Sequence, residues 1–196
     1  MRKLYNLPFT LLLVCFTTFY SYSQNPGEID TSFMIGDSMI KNGSVLCTKT
    51  QTDGKIIIGG DFIKLGGVDI NRITRLNNDG TIDNTFITGT GFSGQVLSLA
   101  IQPDGKILVG GTFSNYNGIV SVNFIRLNPD GSADSSFNVG TGFNNRVISI
   151  TIQSDGKIMV GGLFSTYNGS PANKIIRLNI DGSIDNTFST TSGFNA

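Results

Sequence analysis

Histidine and tryptophan are missing from this chain of 196 residues, and Glu28 is its only glutamate. Without histidine there is no Ser-His-Asp triad, no Cys-His dyad and no His-ligated metal centre. Charge is scarce as well: 14 basic side chains balance 14 acidic ones, and charged residues make up 14% of the chain. That balance excludes a basic nucleic-acid surface and a polyanionic tail as the main device. Cysteine occurs twice, at Cys15 and Cys47. Glycine, by contrast, is abundant at 25 residues against five prolines, and its positions are ordered in a way that disordered segments are not.

The first residues form an export leader. Arg2 and Lys3 precede an apolar stretch, Leu7 to Tyr20, and Ser21-Tyr22-Ser23 places small residues three and one before a cut at Gln24. A positive start, a short apolar run and a small-x-small end predict a secretory signal peptide over residues 1–23. The run is too short, and too interrupted by Thr17 and Thr18, for a membrane anchor of about 20 apolar residues. Val14 is too bulky to precede a lipidated Cys15. Cleavage leaves residues 24–196 with Cys47 as a lone thiol, so no intrachain disulfide forms, and its place is that of a small apolar residue in a strand.

The rest of the chain is one repeat domain with a 51-residue period. Asp53-Gly54-Lys55 returns as Asp104-Gly105-Lys106 and Asp155-Gly156-Lys157. The same interval relates Gly59-Gly60, Gly110-Gly111 and Gly161-Gly162, then Arg75-Leu76-Asn77, Arg126-Leu127-Asn128 and Arg177-Leu178-Asn179. The repeats run over about 27–77, 78–128 and 129–179, with a partial copy at 180–196 and two extra residues between Phe33 and Val45 in the first. Within one unit, Val96–Gln102 reads as a strand ending at a Pro-Asp-Gly turn, and Lys106–Phe113 as its return. Ser114–Gly118 reads as a loop, Val122–Leu127 as a third strand, and about Ser132–Phe137 as a fourth. The predicted fold is all-β: a β-propeller-like array of about three four-stranded antiparallel blades, open rather than closed. The aliphatic triplets Ile56-Ile57-Ile58, Ile107-Leu108-Val109 and Ile158-Met159-Val160 fit strands covered on both faces. The paired glycines that follow predict a bulge or a close backbone approach.

The segments Gln102–Phe113 and Ile125–Phe137, repeated at Gln153–Phe164 and Ile176–Phe188, resemble the delta-60 repeat, a propeller-forming domain of unknown function. The resemblance covers nearly all of residues 27–196. It implies secreted or surface bacterial proteins, usually with more repeats and often with a C-terminal secretion domain, and no established activity. This chain departs from that pattern by ending some 17 residues into a fourth copy. Kelch repeats share the period and the Gly-Gly but carry a later tryptophan that this chain lacks.

Three constellations are candidates for chemistry. The turn Asn77, Asp79, Asp83, with its copies Asn128, Asp130, Asp134 and Asn179, Asp181, Asp185, has oxygen ligands at spacings that calcium loops use. Yet Arg75, Arg126 and Arg177 stand at the leading ligand position, which favours a structural Arg–Asp turn and no metal. The Asp-Gly-Lys turns offer a ring of Asp and Lys side chains, although the hairpin itself explains them. Tyr116 and Tyr167 sit in equivalent loops, where Leu65 replaces them in the first copy. Exposed, they would stack on a sugar; turned inward, they pack on the loop base. Outside the repeat pattern lie Glu28, Asp37, Asp61 and Asp69, the material for a hydrolase's paired acids.

The expected function is a secreted or cell-surface, non-catalytic binding or structural scaffold with no cofactor and no nucleic-acid partner. No membrane span is expected after cleavage, and the ligand is a protein or a polysaccharide. A carbohydrate- or polymer-binding module is the alternative, and a hydrolase or lyase the third reading. About three blades fall short of the 4–8 that close a propeller, so further repeats or self-association are expected to cover the ends.

Overall fold

The computed structural model describes residues 43–137 and 139–188. The expected signal peptide over residues 1–23, Glu28 and Asp37 lie outside the described residues. Each repeat builds one three-stranded antiparallel sheet and one short ribbon. The first contains β1 (Val45–Thr50), β2 (Ile56–Gly60), β3 (Lys64–Leu65), β4 (Val68–Asp69) and β5 (Ile73–Leu76). The second contains β6 (Val96–Ile101), β7 (Ile107–Gly111), β8 (Asn115–Tyr116), β9 (Ile119–Val120) and β10 (Phe124–Leu127). The third contains β11 (Val147–Ile152), β12 (Ile158–Gly162), β13 (Thr166–Tyr167), β14 (Ser170–Pro171) and β15 (Ile175–Leu178). No helix occurs among the described residues. The aliphatic triplet strand is central in every sheet, in the orders β1-β2-β5, β6-β7-β10 and β11-β12-β15. The three sheets form an open, propeller-like array.

The turn chemistry is the same in all copies. Gly54 N donates to Gln51 O at 3.0 Å, Gln51 N donates to Lys55 O at 2.8 Å, and Gly54 has φ 85°. A three-residue hairpin loop of this kind needs one left-handed residue at its end, which glycine supplies without a Cβ penalty. The paired glycines do form the bulge expected of them: the register slips between Val45 and Cys47, Val96 and Ser98, and Val147 and Ser149, each opposite a Gly-Gly.

Two expectations need correction. Ser114–Gly118 is part of a second hairpin, the ribbon β8-β9, closed by Asn117 (φ 47°) and Gly118 (φ 77°). Two successive left-handed residues make a type I′ turn, whose twist matches the strands it joins. The fourth strand shrinks to single bridges, Leu76↔Ile82, Leu127↔Ala133 and Leu178↔Ile184. Pairing stops there because the next residue is an aspartate that opens a turn: Ser136 N donates to Asp134 Oδ1 at 3.0 Å, and Phe137 N to Asp134 O at 3.2 Å. These bridges also carry each sheet across the repeat boundaries drawn at 77/78, 128/129 and 179/180.

The apolar layers lie between consecutive sheets. Ile57 and Ile73 of the first sheet share a cluster with Val96, Leu99, Ile107, Val109 and Leu127 of the second. Ala100, Leu108 and Phe124, on the other face of the second sheet, pack with Val147, Ile150, Ile158 and Val160 of the third. Ile107 and Val109 therefore face one neighbour while Leu108 faces the other, and all three are fully buried. Each such side chain contributes about 1.5–3 kcal/mol on burial. A single blade cannot bury both faces by itself.

Candidate functional site

Three charged residues of each repeat, a lysine, an arginine and an aspartate, converge on one place in each blade, beside the bridge that ends the sheet. In the first blade, Asp83 Oδ2 accepts from Arg75 Nε at 2.8 Å and from Lys55 Nζ at 2.8 Å. Its other oxygen accepts from Thr85 N at 2.9 Å and Thr85 Oγ1 at 2.6 Å. In the second blade Asp134 takes Arg126 Nε at 2.7 Å, Lys106 Nζ at 3.0 Å and the Ser136 hydroxyl at 2.6 Å. In the third, Asp185 takes Arg177 Nε at 2.6 Å, Lys157 Nζ at 2.7 Å and Thr187 Oγ1 at 2.7 Å. Three segments meet in each cluster: the lysine immediately precedes the central strand, the arginine sits on the next strand, and the aspartate follows the bridge.

Burial and pairing pull these carboxylates in opposite directions. For Asp83 the largest single influence is desolvation, which favours the neutral acid. Bonds from Lys55, from Thr85 and from Arg75 together outweigh it and hold the carboxyl well below the usual range. Asp134 follows the same balance, with Ser136 and Lys106 ahead of Arg126. In Asp185 the Lys157 bond comes first, then that of Thr187, and its pKa is again depressed. A cluster with one carboxylate and two cations already carries surplus positive charge, which repels a further cation.

The arginines do more than close their own blade. Each guanidinium lies over a phenylalanine, with centroid distances of 4.9 Å for Arg75 on Phe86, 4.3 Å for Arg126 on Phe137 and 4.9 Å for Arg177 on Phe188. Arg75 Nη1 then donates to Pro129 O in the following blade at 2.7 Å, and Arg126 Nη1 donates to Ile180 O at 2.7 Å. The cluster thus ties hairpin, outer turn and neighbouring blade together.

The calcium reading asks Asn77, Asp79 and Asp83 to share one ion, and the side chains are committed elsewhere. Asp79 Oδ1 accepts from Thr81 N at 3.0 Å and Thr81 Oγ1 at 2.7 Å, while Asn77 Nδ2 donates to that hydroxyl at 2.9 Å. Asp130 and Asp181 bond Ser132 and Ser183 in the same way, as Asn128 and Asn179 do. Among the described residues, no three Cys or Asp side chains gather as a metal site. The Asp-Gly-Lys turns separate likewise. Asp53, Asp104 and Asp155 cap the backbone of Lys55, Lys106 and Lys157 at 3.1 Å, whereas the lysine side chains turn away to the cluster.

Of the two readings of the tyrosines, the structure has the rings turned inward. Tyr116 is 1% exposed and Tyr167 2%, so neither ring is available to stack on a ligand. Each packs on the phenylalanine that opens its own blade, with Phe92–Tyr116 and Phe143–Tyr167 centroids 4.4 and 4.5 Å apart. The Tyr116 hydroxyl donates to Gly131 O at 2.6 Å, and Tyr167 to Gly182 O at 2.8 Å. Burial, followed by the nearby Asp130 charge, pushes the Tyr116 phenol pKa upward. Cys47, half-buried on β1, is pushed up to about 12, chiefly by burial, so it stays a neutral thiol.

A family model described as "Domain of unknown function (DUF5122) beta-propeller" matches residues 51–86, 102–137 and 153–188. The chain belongs to the DUF5122 β-propeller family. No curated protein matches it. The DUF5122 segments coincide with the clusters: residues 51–86 open at Gln51, whose Oε1 faces Arg75 Nη1 at 3.4 Å, and close at Phe86 beneath the same arginine. Lys55, Arg75, Asp83 and Thr85 all lie between. The DUF5122 motif is therefore the covalent trace of one ion cluster and its turns. Sequence reasoning found its Arg and Asp and missed its lysine, its hydroxyl and its glutamine. The signal was available, since Lys55 and Asp83 recur 28 residues apart as Lys106 and Asp134, then Lys157 and Asp185.

Proposed function

We propose that this chain is a non-catalytic β-propeller scaffold that works outside the cytoplasm, secreted or held at the cell surface, and binds a protein or polysaccharide there. The observation that carries this reading is the commitment of the repeat's acidic groups. Asp83, Asp134 and Asp185 spend both oxygens on lysine, arginine and hydroxyl partners of their own blade. A general acid or nucleophile needs a free oxygen aimed at substrate. The exposed apolar tips of two ribbons, Val68 at 53%, Ile119 at 51% and Val120 at 81%, supply contact surface for a partner. The leader features at Arg2, Lys3 and Ser21-Tyr22-Ser23 support export.

The test is incubation of the purified full chain with panels of polysaccharides and exported proteins. Saturable binding without product formation is the expected outcome. Turnover of any substrate that is lost in parallel with folding overturns the non-catalytic reading. Export is read by mass spectrometry in the native cell, where an N-terminus at Gln24 is expected and an intact Met1 on membrane material refutes it.

A further inference from the structure

A cleft in the third blade is lined by polar side chains that the fold only half uses. It lies between the ribbon β13-β14 and the outer turn that follows β15, with a volume of about 650 Å³, and Ser136 of the preceding blade forms one wall. That size is ordinary for a small-ligand site. Tyr167 forms the floor. Its ring is buried, and its hydroxyl donates to Gly182 O at 2.8 Å, which fixes the separation of ribbon and turn.

Two of the lining groups are bonded on one side only. Asp181 Oδ1 accepts from Ser183 N at 2.9 Å and from Ser183 Oγ at 2.7 Å, while Oδ2 has no partner among the described residues. The Ser183 bonds hold this carboxyl below its usual range, so it is ionised at neutral pH. Asn168 Oδ1 accepts from Thr141 N at 3.2 Å, and its Nδ2 has no partner among the described residues. The Ser170 hydroxyl and the Asn186 amide, also on the cleft, make no hydrogen bond among the described residues. The bonded half of Asp181 and of Asn168 fixes the free half in orientation, which lowers the cost of ordering it around a ligand. Together the free groups offer amide donors, a charged acceptor and a hydroxyl that does both.

That set selects a class of ligand. The Asp181 carboxylate turns away an anion, and a single carboxylate with the Arg126 charge nearby is too little for a hard cation. Ile184 is the one aliphatic side chain in the lining, too little for an apolar ligand. A neutral molecule with several hydroxyl groups fits, because each hydroxyl both donates and accepts. We propose that this cleft binds one sugar unit of a neutral polysaccharide, with Asp181, Asn168, Ser170 and Asn186 as its hydrogen-bonding residues. The inference rests on the binding function proposed above and names its site and ligand class. In the second blade Ile119 stands in the place of Ser170, Ala133 in that of Ile184 and Ser135 in that of Asn186, so the polar set belongs to the third blade. Ile119 is 51% exposed and Ser135 is exposed even though the third blade packs on the second, so the rim of the cleft lies clear of the contact between blades.

The experiment titrates the isotope-labelled full chain with neutral oligosaccharides of glucose, galactose, mannose, xylose and N-acetylglucosamine, and follows the side-chain amide signals of Asn168 and Asn186 by NMR. Saturable shifts of both signals are expected with at least one of these sugars. Asp181→Asn keeps the Oδ1 bonds of the turn and should weaken that sugar about tenfold, the worth of one hydrogen bond to a charged group. Ser170→Ile, a residue the ribbon already accepts as Ile119, should weaken it by about as much. Ile119→Ser in the second blade should leave the affinity unchanged, and the rest of each spectrum reports that the variant is folded. Three results overturn the proposal. No neutral oligosaccharide shifts these signals, one binds while moving signals elsewhere, or either cleft variant binds it as tightly as the parent. If an exported protein binds and no sugar does, this inference falls and the binding function stands; if neither binds, both fall.

Discussion

Gly110 and Gly161 are the same residue in the same strand position, and alanine in their place has opposite consequences. Neither has a left-handed backbone, so neither conformation excludes a side chain. At Gly110 the new methyl runs into Val147 Cγ1 and comes within 3.0 Å of Val147 Cβ and Ile150 Cδ1. Those side chains have no room to retreat, being 0% and 7% exposed inside the layer between blades two and three. Overpacking of this kind costs about 1–3 kcal/mol. At Gly161 the methyl meets ordinary contacts only, and the reduced freedom of the unfolded chain stabilises by about 0.4–1 kcal/mol. In a chain of this size each kcal/mol moves Tm by roughly 2–4 °C. Thermal melts followed by far-UV circular dichroism should thus show Gly110→Ala falling by roughly 2–12 °C, with Gly161→Ala level or slightly raised. Gly59→Ala should follow Gly110→Ala. Equal losses at all three glycines would refute the reasoning, since they would place the cost within the blade and not in its neighbour.

Asp134→Asn leaves Arg126 and Lys106 facing each other without their shared anion, and stability is expected to drop by about 3–5 kcal/mol in urea titration. Acid should act in the same sense. Asp83, Asp134 and Asp185 have pKa values depressed by folding, so their stabilisation is complete above the unfolded value near 4 and is lost as pH falls through the folded values. Urea midpoints should be flat from pH 7 to 5 and fall below pH 4, and a midpoint level down to pH 2 contradicts the balance. A calcium chelator should leave Tm unchanged, because the turn oxygens are bonded to their own threonines and serines. Tyr116→Phe removes the donor to the buried Gly131 carbonyl and should cost about 1–3 kcal/mol by the same melts.

The period, the central strand and the hairpin turns were legible because each depends on residues adjacent in sequence and printed three times. Ile107-Leu108-Val109 announces a strand covered on both faces without reference to what covers it. The ribbon β8-β9 was harder. Its strands are two residues long, too short for any alternation to register, and only Asn117-Gly118 marks it. That pair is a strong signal of a two-residue hairpin and was the readable part. The fourth strand was over-read because Ser132–Phe137 has strand-like composition, whereas Asp134 bonds its own backbone turn after a single bridge. Tyr116 lay beyond local reasoning altogether. Its burial is set by Phe92, 24 residues earlier, and by the carbonyl of Gly131 on the far side of the blade.

The same distinction explains why the candidate site carries a family signature through its joints. Lys55 and Asp83 are 28 residues apart and meet only when the outer turn folds back beside the hairpin. Arg75 must be present at that meeting and also reach Pro129, 54 residues ahead in the next blade. A residue with two such obligations is fixed by packing geometry as strictly as a catalytic group is fixed by its reaction. Recurrence separates the two cases here. A reacting group is needed once per site, whereas a joint is needed at every blade, and Arg75, Arg126 and Arg177 occur at every blade. On the proposed binding function, contact residues should accordingly be sought where the copies differ: Val68-Asp69, Ile119-Val120 and Ser170-Pro171 occupy one equivalent position on the ribbons, with an acid in the first, an aliphatic pair in the second and a hydroxyl with proline in the third. Differences at a repeated, exposed position cost the fold little, since no neighbouring blade packs there. A propeller can therefore vary what it recognises from blade to blade while its clusters stay constant.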